Sequence, residues 1–333
     1  MSARARVIAI VSAAAVAAAG VAVGGALVQG RSTGGEVHGQ TATTTGDEER
    51  EPPALELALT DRDDREARAL RTAERLYETG RVEEAKERFD ALLAANPNST
   101  EAAIGAAVTA WPSGTVERLE ALTRETPESA GAHLNLGLAL VAGGALEEAR
   151  REWREAERVD PDSPAALRAD DLLHPGMPPG RPQFTFAANP PRGFSDLSYG
   201  QQLALLERRA ESGGVEAWLV YGSMLERRGR TLSARRAYDR AASLAPESVE
   251  ARTAAAVIRF DKDDPSTAFS RLGPLAADHP RAAIVRFHLG FALLWLPDVA
   301  AARKQLRLAV QAEPGSFYAR ESRRILVTLA DVE

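Results

Sequence analysis

No cysteine occurs in the 333 residues of this chain. That absence excludes disulfides, thiolate nucleophiles, thiolate-bound zinc and cysteine-linked lipid anchors together. The compartment stays open, because an exported helical repeat with a large core folds without disulfides. Aromatic residues are also scarce at 5%, although hydrophobic residues reach 44% and alanine supplies much of them. Small apolar side chains suit closely approaching helices better than sheets built on Val, Ile and Tyr. Lysine is confined to Lys86, Lys262 and Lys304, and the net charge is -6. No global basic field invites nucleic acid, and the many arginines stand beside Glu and Asp along solvated helix faces.

Chemistry-bearing patterns are missing too. His38, His133, His174, His279 and His288 are far apart, and none stands at ligand spacing from another His or an acid. No phosphate loop, dinucleotide fingerprint or nucleophile elbow occurs. Asp170-Asp171 and the acids at 261, 263 and 264 lack the alternation and closing Glu of a calcium loop. The sequence therefore predicts no catalytic residue, no cofactor, no metal, no nucleic-acid partner and no small-molecule substrate.

What is present begins at the N-terminus. Arg4 and Arg6 precede an uncharged run, residues 7–28, in which Ser12 is the one polar side chain. As a helix it would reach about 33 Å, enough to cross a hydrocarbon core. Two arginines before it against Arg31 after it favour an inside N-terminus and an exported body. A cleaved signal peptide, with Gly24-Gly25-Ala26 near the cleavage point, is the competing reading. Residues 1–30 are thus read as a signal-anchor transmembrane segment at the cell membrane, the alternative being secretion. Residues 31–60, Gly/Thr/Ser-rich and then acidic, read as a flexible tether.

The body repeats itself. Pro97, Pro127, Pro161, Pro246, Pro280 and Pro314 are separated by 30, 34, 85, 34 and 34 residues, and 34 is the period of a helix–turn–helix repeat. One copy reads Trp218, Tyr221-Gly222, Leu225, Gly229, Ala234, Tyr238, Ala241, Pro246; another His133, Leu136-Gly137, Leu140, Gly144, Ala149, Trp153, Ala156, Pro161. A third is Arg286, Leu289-Gly290, Leu293, Ala302, Leu306, Ala309, Pro314, and weaker copies end at Pro97 and Pro280. On these residues, over roughly 66–161 and 215–314, the chain resembles the tetratricopeptide-repeat (TPR) family.

The pattern has a physical account. Gly137, Gly222 and Gly290, with Ala149, Ala234 and Ala302, fall where the two helices of a hairpin cross and only small side chains fit. Phe89, Trp153 and Tyr238 are expected to fill the space between neighbouring hairpins. Gly80, Gly144 and Gly229 supply left-handed C-caps, and each proline ends a second helix. The expected fold is an all-α solenoid of about five to six TPR hairpins in two arrays, following the N-terminal transmembrane helix. The first array spans 61–173 with a capping helix; the second spans 197–333 and closes on a C-terminal capping helix. We read three hairpins in the first, a truncated one included, and two complete hairpins plus a half-repeat in the second.

Residues 174–196 interrupt the period with six prolines and Phe184, Phe186 and Phe194. They read as a polyproline-like linker, or as a strap whose phenylalanines lie in a groove of the solenoid. The resemblance implies a concave face lined by the first helix of each hairpin. In the last repeat that face carries Ile284, Phe287, Phe291, Leu294 and Trp295, an apolar stripe of the kind that marks a peptide groove. It is either open to a partner or already covered by the terminal helix or the strap. Asn135 sits where some family members clamp a carboxylate, without the basic residues that would complete such a clamp. The function implied is a non-catalytic, membrane-tethered TPR scaffold that binds a protein or peptide partner in the cell envelope. The alternatives are an assembly factor holding an exported client, similar to the TPR part of cytochrome c maturation factors, or a secreted TPR protein.

Overall fold

The computed structural model describes residues 51–59, 62–187, 193–296 and 298–330. The expected transmembrane segment at 1–30, and the part of the expected tether before residue 51, lie outside them. Among the described residues no helix is long and apolar enough to cross a membrane.

Fifteen α-helices and no strand are found among the described residues. The first array has three hairpins. They are α1 (Arg65–Glu78) with α2 (Val82–Ala95), α3 (Thr100–Val108) with α4 (Thr115–Glu125), and α5 (Ala130–Ala142) with α6 (Leu146–Val159). α7 (Pro164–Leu173) caps this array on α6. After the interruption, α8 (Tyr199–Ser212) packs on the second array. That array also has three hairpins: α9 (Val215–Glu226) with α10 (Thr231–Leu244), α11 (Val249–Val257) with α12 (Ser266–Asp278), and α13 (Ala283–Leu293) with α14 (Val299–Ala312). α15 (Phe317–Thr328) covers α13 and α14. The second array thus holds three complete hairpins, where two complete hairpins and a half-repeat were expected. Its middle copy is disguised by a short nine-residue first helix and by Pro274 inside its second.

A recurrent boundary sets the helix ends. In Pro97-Asn98-Ser99, Pro127-Glu128-Ser129, Pro161-Asp162-Ser163, Pro246-Glu247-Ser248 and Pro314-Gly315-Ser316, proline stops one helix. The serine hydroxyl then accepts an amide hydrogen in the first turn of the next, a cap worth about 1 kcal/mol. Ala282 breaks the series; there Glu313 Oε1 accepts the Ala283 N–H at 3.2 Å instead. Gly80, Gly144 and Gly229 turn the α1–α2, α5–α6 and α9–α10 hairpins at φ of 77°, 88° and 75°. That region strains any residue bearing a Cβ.

Close packing follows the small-residue positions. A Cβ on Gly137 would lie 2.3 Å from Trp153 Nε1, and one on Gly222 would lie 2.5 Å from Tyr238 Cε1. These two rings therefore seat on the glycine of their own hairpin rather than between hairpins. Phe89 does bridge hairpins, since a Cβ on Gly105 would meet it at 2.4 Å. Gly290 is crowded by Leu306 and by the Ala302 carbonyl, and Ala149, Ala234 and Ala302 are fully buried.

The arrays meet through α7. The Asp162 carboxylate accepts from Ser233 N–H at 3.0 Å and from its hydroxyl at 2.5 Å. Leu167 and Pro164 lie against Gly229. Beside this joint, the fully buried Lys262 ammonium sits between Asp171 and Asp170, and Asp170 also receives Arg181 at 3.1 Å. Buried carboxylates without such cations would be costly.

Candidate functional site

Residues 51–59, read from sequence as part of the tether, are packed. Leu55 and Leu59 join the first array's core. The segment is extended, with Pro53, Leu55 and Leu59 buried at alternate positions, as the period of two in a strand-like backbone requires. Its polar anchors come from first helices and the cap. Tyr77 Oη of α1 donates to the Pro53 carbonyl at 2.6 Å, and Glu74 Oε1 of α1 accepts the Leu57 N–H at 2.9 Å. Asn135 of α5 pairs with both backbone groups of one residue. Its Oδ1 accepts the Glu56 N–H at 3.0 Å and its Nδ2 donates to the Glu56 carbonyl at 2.7 Å. Arg168 of α7 binds the Glu56 carboxylate at 2.7 Å. Burial pushes the Glu74 carboxyl up to about 7.

The second array holds an extended segment in the same way. Residues 174–187 form a strap across the first-helix side. Trp295 Nε1 donates to the Gly180 carbonyl at 3.0 Å, and Asp171 Oδ1 accepts the Gly180 N–H at 2.7 Å. The Phe184 N–H points between both oxygens of Glu226 at 3.1 and 3.2 Å, and Tyr238 Oη donates to the same carboxyl at 2.7 Å. The Thr185 N–H donates to His288 Nε2 at 2.9 Å, so the ring's proton sits on Nδ1, 2.7 Å from the Ile284 carbonyl. The Phe184 ring stacks on His288 at 5.0 Å and meets Tyr238 edge-on at 5.4 Å. Burial pushes Glu226 up to about 8 and His288 down to about 4, so both are neutral at pH 7. Two uncharged polar groups thereby hold a buried backbone without an unpaired charge.

The candidate partner groove at Ile284, Phe287, Phe291, Leu294 and Trp295 is therefore not an open surface. None of the five is more than 5% exposed. Phe287 stacks on Phe291 at 5.9 Å, Phe291 meets Trp295 at 5.2 Å, and Phe260 and Tyr318 close the cluster at 6.4 and 5.8 Å. The strap lies over Trp295. An apolar first-helix stripe looks the same in sequence whether a partner or the chain itself covers it. Asn135, considered for a carboxylate clamp, engages a backbone amide instead.

Glu56, Glu74, Glu226 and Lys262 were not identified from sequence. Leu55, Leu57 and Leu59 at period two were a readable signal. Glu226 offered only a lone acid closing the apolar run of α9. Among the described residues no group of three His, Asp or Glu side chains is placed to hold a metal ion.

Comparison with known proteins agrees with the repeat geometry. Sequence profiles of the tetratricopeptide repeat match residues 70–118, 116–166 and 215–258. The chain therefore carries tetratricopeptide repeats, the units of protein-interaction scaffolds, over residues 70–166 and 215–258. Among solved structures it is similar to TTC0263, a thermophilic TPR protein of Thermus thermophilus. Identity is 23% over 58% of this chain and 98% of that one, with a TM-score of 0.28. YrrB, described as a TPR protein with an unusual peptide-binding site, shares 16% identity over 63% of this chain and 99% of its own, at a TM-score of 0.31. A TPR protein from Parabacteroides merdae shares 12% over 80% and 99%, at 0.34. No curated protein matches the sequence.

Proposed function

We propose that this chain is a non-catalytic scaffold, held at the cell membrane by residues 7–28 with its repeat body outside the cytoplasm, that captures an extended segment of a protein partner. One observation carries the binding part. In both arrays, side chains of first helices hydrogen-bond the backbone of extended polypeptide, at Glu56 and Leu57 in one and at Phe184 and Thr185 in the other. A surface that satisfies backbone amides of an extended chain recognises polypeptide as such. The membrane part is supported by the length of the uncharged run and by Arg4 and Arg6 before it.

The test has two arms on the full chain bearing a C-terminal tag. In cells stripped of outer barriers, external protease should remove the tag, and a protected tag would overturn the orientation. Chemical crosslinking in intact cells should return one stoichiometric partner that rebinds the purified chain. A chain that rebinds nothing except itself would overturn the scaffold reading.

A further inference from the structure

Both grooves are filled by the chain itself, yet the two fillings differ in kind. The strap at 174–187 is pinned by Glu226 and His288, both buried inside the second array, and by Asp170 and Asp171 at the joint, which the buried Lys262 holds in turn. The segment at 53–59 is held by the buried Asn135 and Tyr77 and by two groups nearer the solvent, Glu74 and Arg168. Its own backbone-to-backbone bonds, Leu59 N–H to the Leu57 carbonyl and Arg62 N–H to the Leu59 carbonyl, stay within its own stretch. Its contacts with the solenoid are side-chain contacts. Among the described residues its ion pair is Glu56 with Arg168, at the rim, with side chains 32% and 41% exposed.

The receptor side is preorganised. Asn135 is fully buried, and its Nδ2 also donates to the Gly131 carbonyl at 2.8 Å. That bond within α5 keeps the amide aimed into the groove whether or not Glu56 is there. With Asn135 on α5, Glu74 and Tyr77 on α1 and Arg168 on α7, acceptor, donor and cation are spread over three helices around one line. A ligand on that line needs an extended backbone, leucine-sized side chains at alternate positions, and one carboxylate facing Arg168.

We propose that the first-array groove is a receptor for an extended segment of a partner protein. That segment would carry leucines at alternate positions and a glutamate beside the first of them. Residues 53–59, which read Pro-Ala-Leu-Glu-Leu-Ala-Leu, are the built-in competitor for the same groove. The inference rests on the scaffold reading above and supplies its motif and its regulation. A partner segment gains access by displacing 53–59, and the groove is closed to weaker sequences. Backbone pairing by Asn135 gives affinity for any extended chain, while the apolar seats of Leu55 and Leu59 and the charge on Arg168 give selection.

The probe is a fluorescein-labelled synthetic peptide spanning residues 52–60, titrated into the purified full chain by anisotropy. Leu55→Asp with Leu59→Asp should eject the resident segment and raise peptide affinity at least tenfold over wild type, with helicity by circular dichroism retained. Adding Asn135→Ala to that variant should weaken the peptide at least tenfold. Arg168→Glu should invert the preference towards a peptide whose glutamate is replaced by arginine. If the double variant loses helicity, Glu56→Arg in the full chain serves in its place, because it disturbs only the rim pair. A helical released variant that binds the peptide no better than wild type would overturn the proposal. So would charge exchange at Arg168 without effect, or a wild-type dimer that has swapped its 53–59 segments. These failures leave a crosslinked partner standing on another surface, so they are distinct from failure of the scaffold reading.

Discussion

Glu226→Gln should make the protein more stable, and increasingly so as the pH rises. Glu226 is buried at the end of α9, and burial raises its carboxyl from 4.5 to about 8. Below pH 4.5 the group is protonated in native and unfolded chains alike, and it costs nothing. Between pH 4.5 and 8 the unfolded chain releases the proton while the native chain keeps it. Native stability therefore falls by about 1.4 kcal/mol per pH unit in that window. At pH 7 the penalty is about 3 kcal/mol, and above pH 8 it levels off on the order of 5 kcal/mol. Glutamine never ionises. Its carbonyl still accepts the Phe184 N–H, its amide can donate to Tyr238 Oη, and the exchange of hydrogen bonds costs about 1 kcal/mol at most. Urea unfolding of both proteins, followed by far-UV circular dichroism at pH 5, 6, 7 and 8, isolates the effect, because every other titrating group cancels in the difference. The stability difference in favour of Gln should grow by several kcal/mol from pH 5 to pH 8. A difference that is flat with pH would refute a neutral buried carboxyl at the strap.

Other perturbations separate the forces that hold the solenoid. Gly222→Ala places a Cβ 2.5 Å from Tyr238, which is pinned by Glu226, and should cost about 2–3 kcal/mol by overpacking. Gly229→Ala meets no atom nearer than 3.5 Å but stands at φ 75°, and should cost about 1–2 kcal/mol through backbone strain alone. Thermal unfolding of the two variants ranks them. Lys262→Met leaves Asp170 and Asp171 without the buried ammonium between them and should lose about 3–5 kcal/mol, with Asp171→Asn recovering part of it. Ser129→Ala should cost about 1 kcal/mol through loss of the α5 cap, whereas Ala282→Ser should gain up to that amount at α13, whose N-cap residue has no hydroxyl. Equilibrium denaturation reads both.

The repeats were legible because their grammar is local. Proline stops a helix by its own ring, glycine takes a left-handed turn by its own lack of a Cβ, and 34-residue spacing shows in the chain itself. The middle hairpin of the second array was harder, since its Ala256 and Ala268 keep the small positions while its first helix is short and its turn lacks glycine. The grooves were harder still. Phe287 and Trp295 have the composition of a docking surface, and only the position of Gly180, 115 residues from Trp295 along the chain, shows that the strap already lies there. Glu226 and Phe184 are 42 residues apart, and Asn135 and Glu56 are 79 apart. No periodicity links such pairs, because each is made by the curvature of stacked hairpins rather than by any one of them. The leucines at 55, 57 and 59 did carry an extended-strand signal, but it was overshadowed by the acidic, glycine-rich stretch before them.

Hydrogen–deuterium exchange on the full chain tests most directly whether the first-helix faces bind extended polypeptide. The amides of Glu56, Leu57, Phe184 and Thr185 lie outside any helix, and the account predicts protection comparable with α5 and α13. Protection at 56 and 57 should be lost in Asn135→Ala while that at 184 and 185 persists. Exchange at all four at the rate of an open chain would contradict the account.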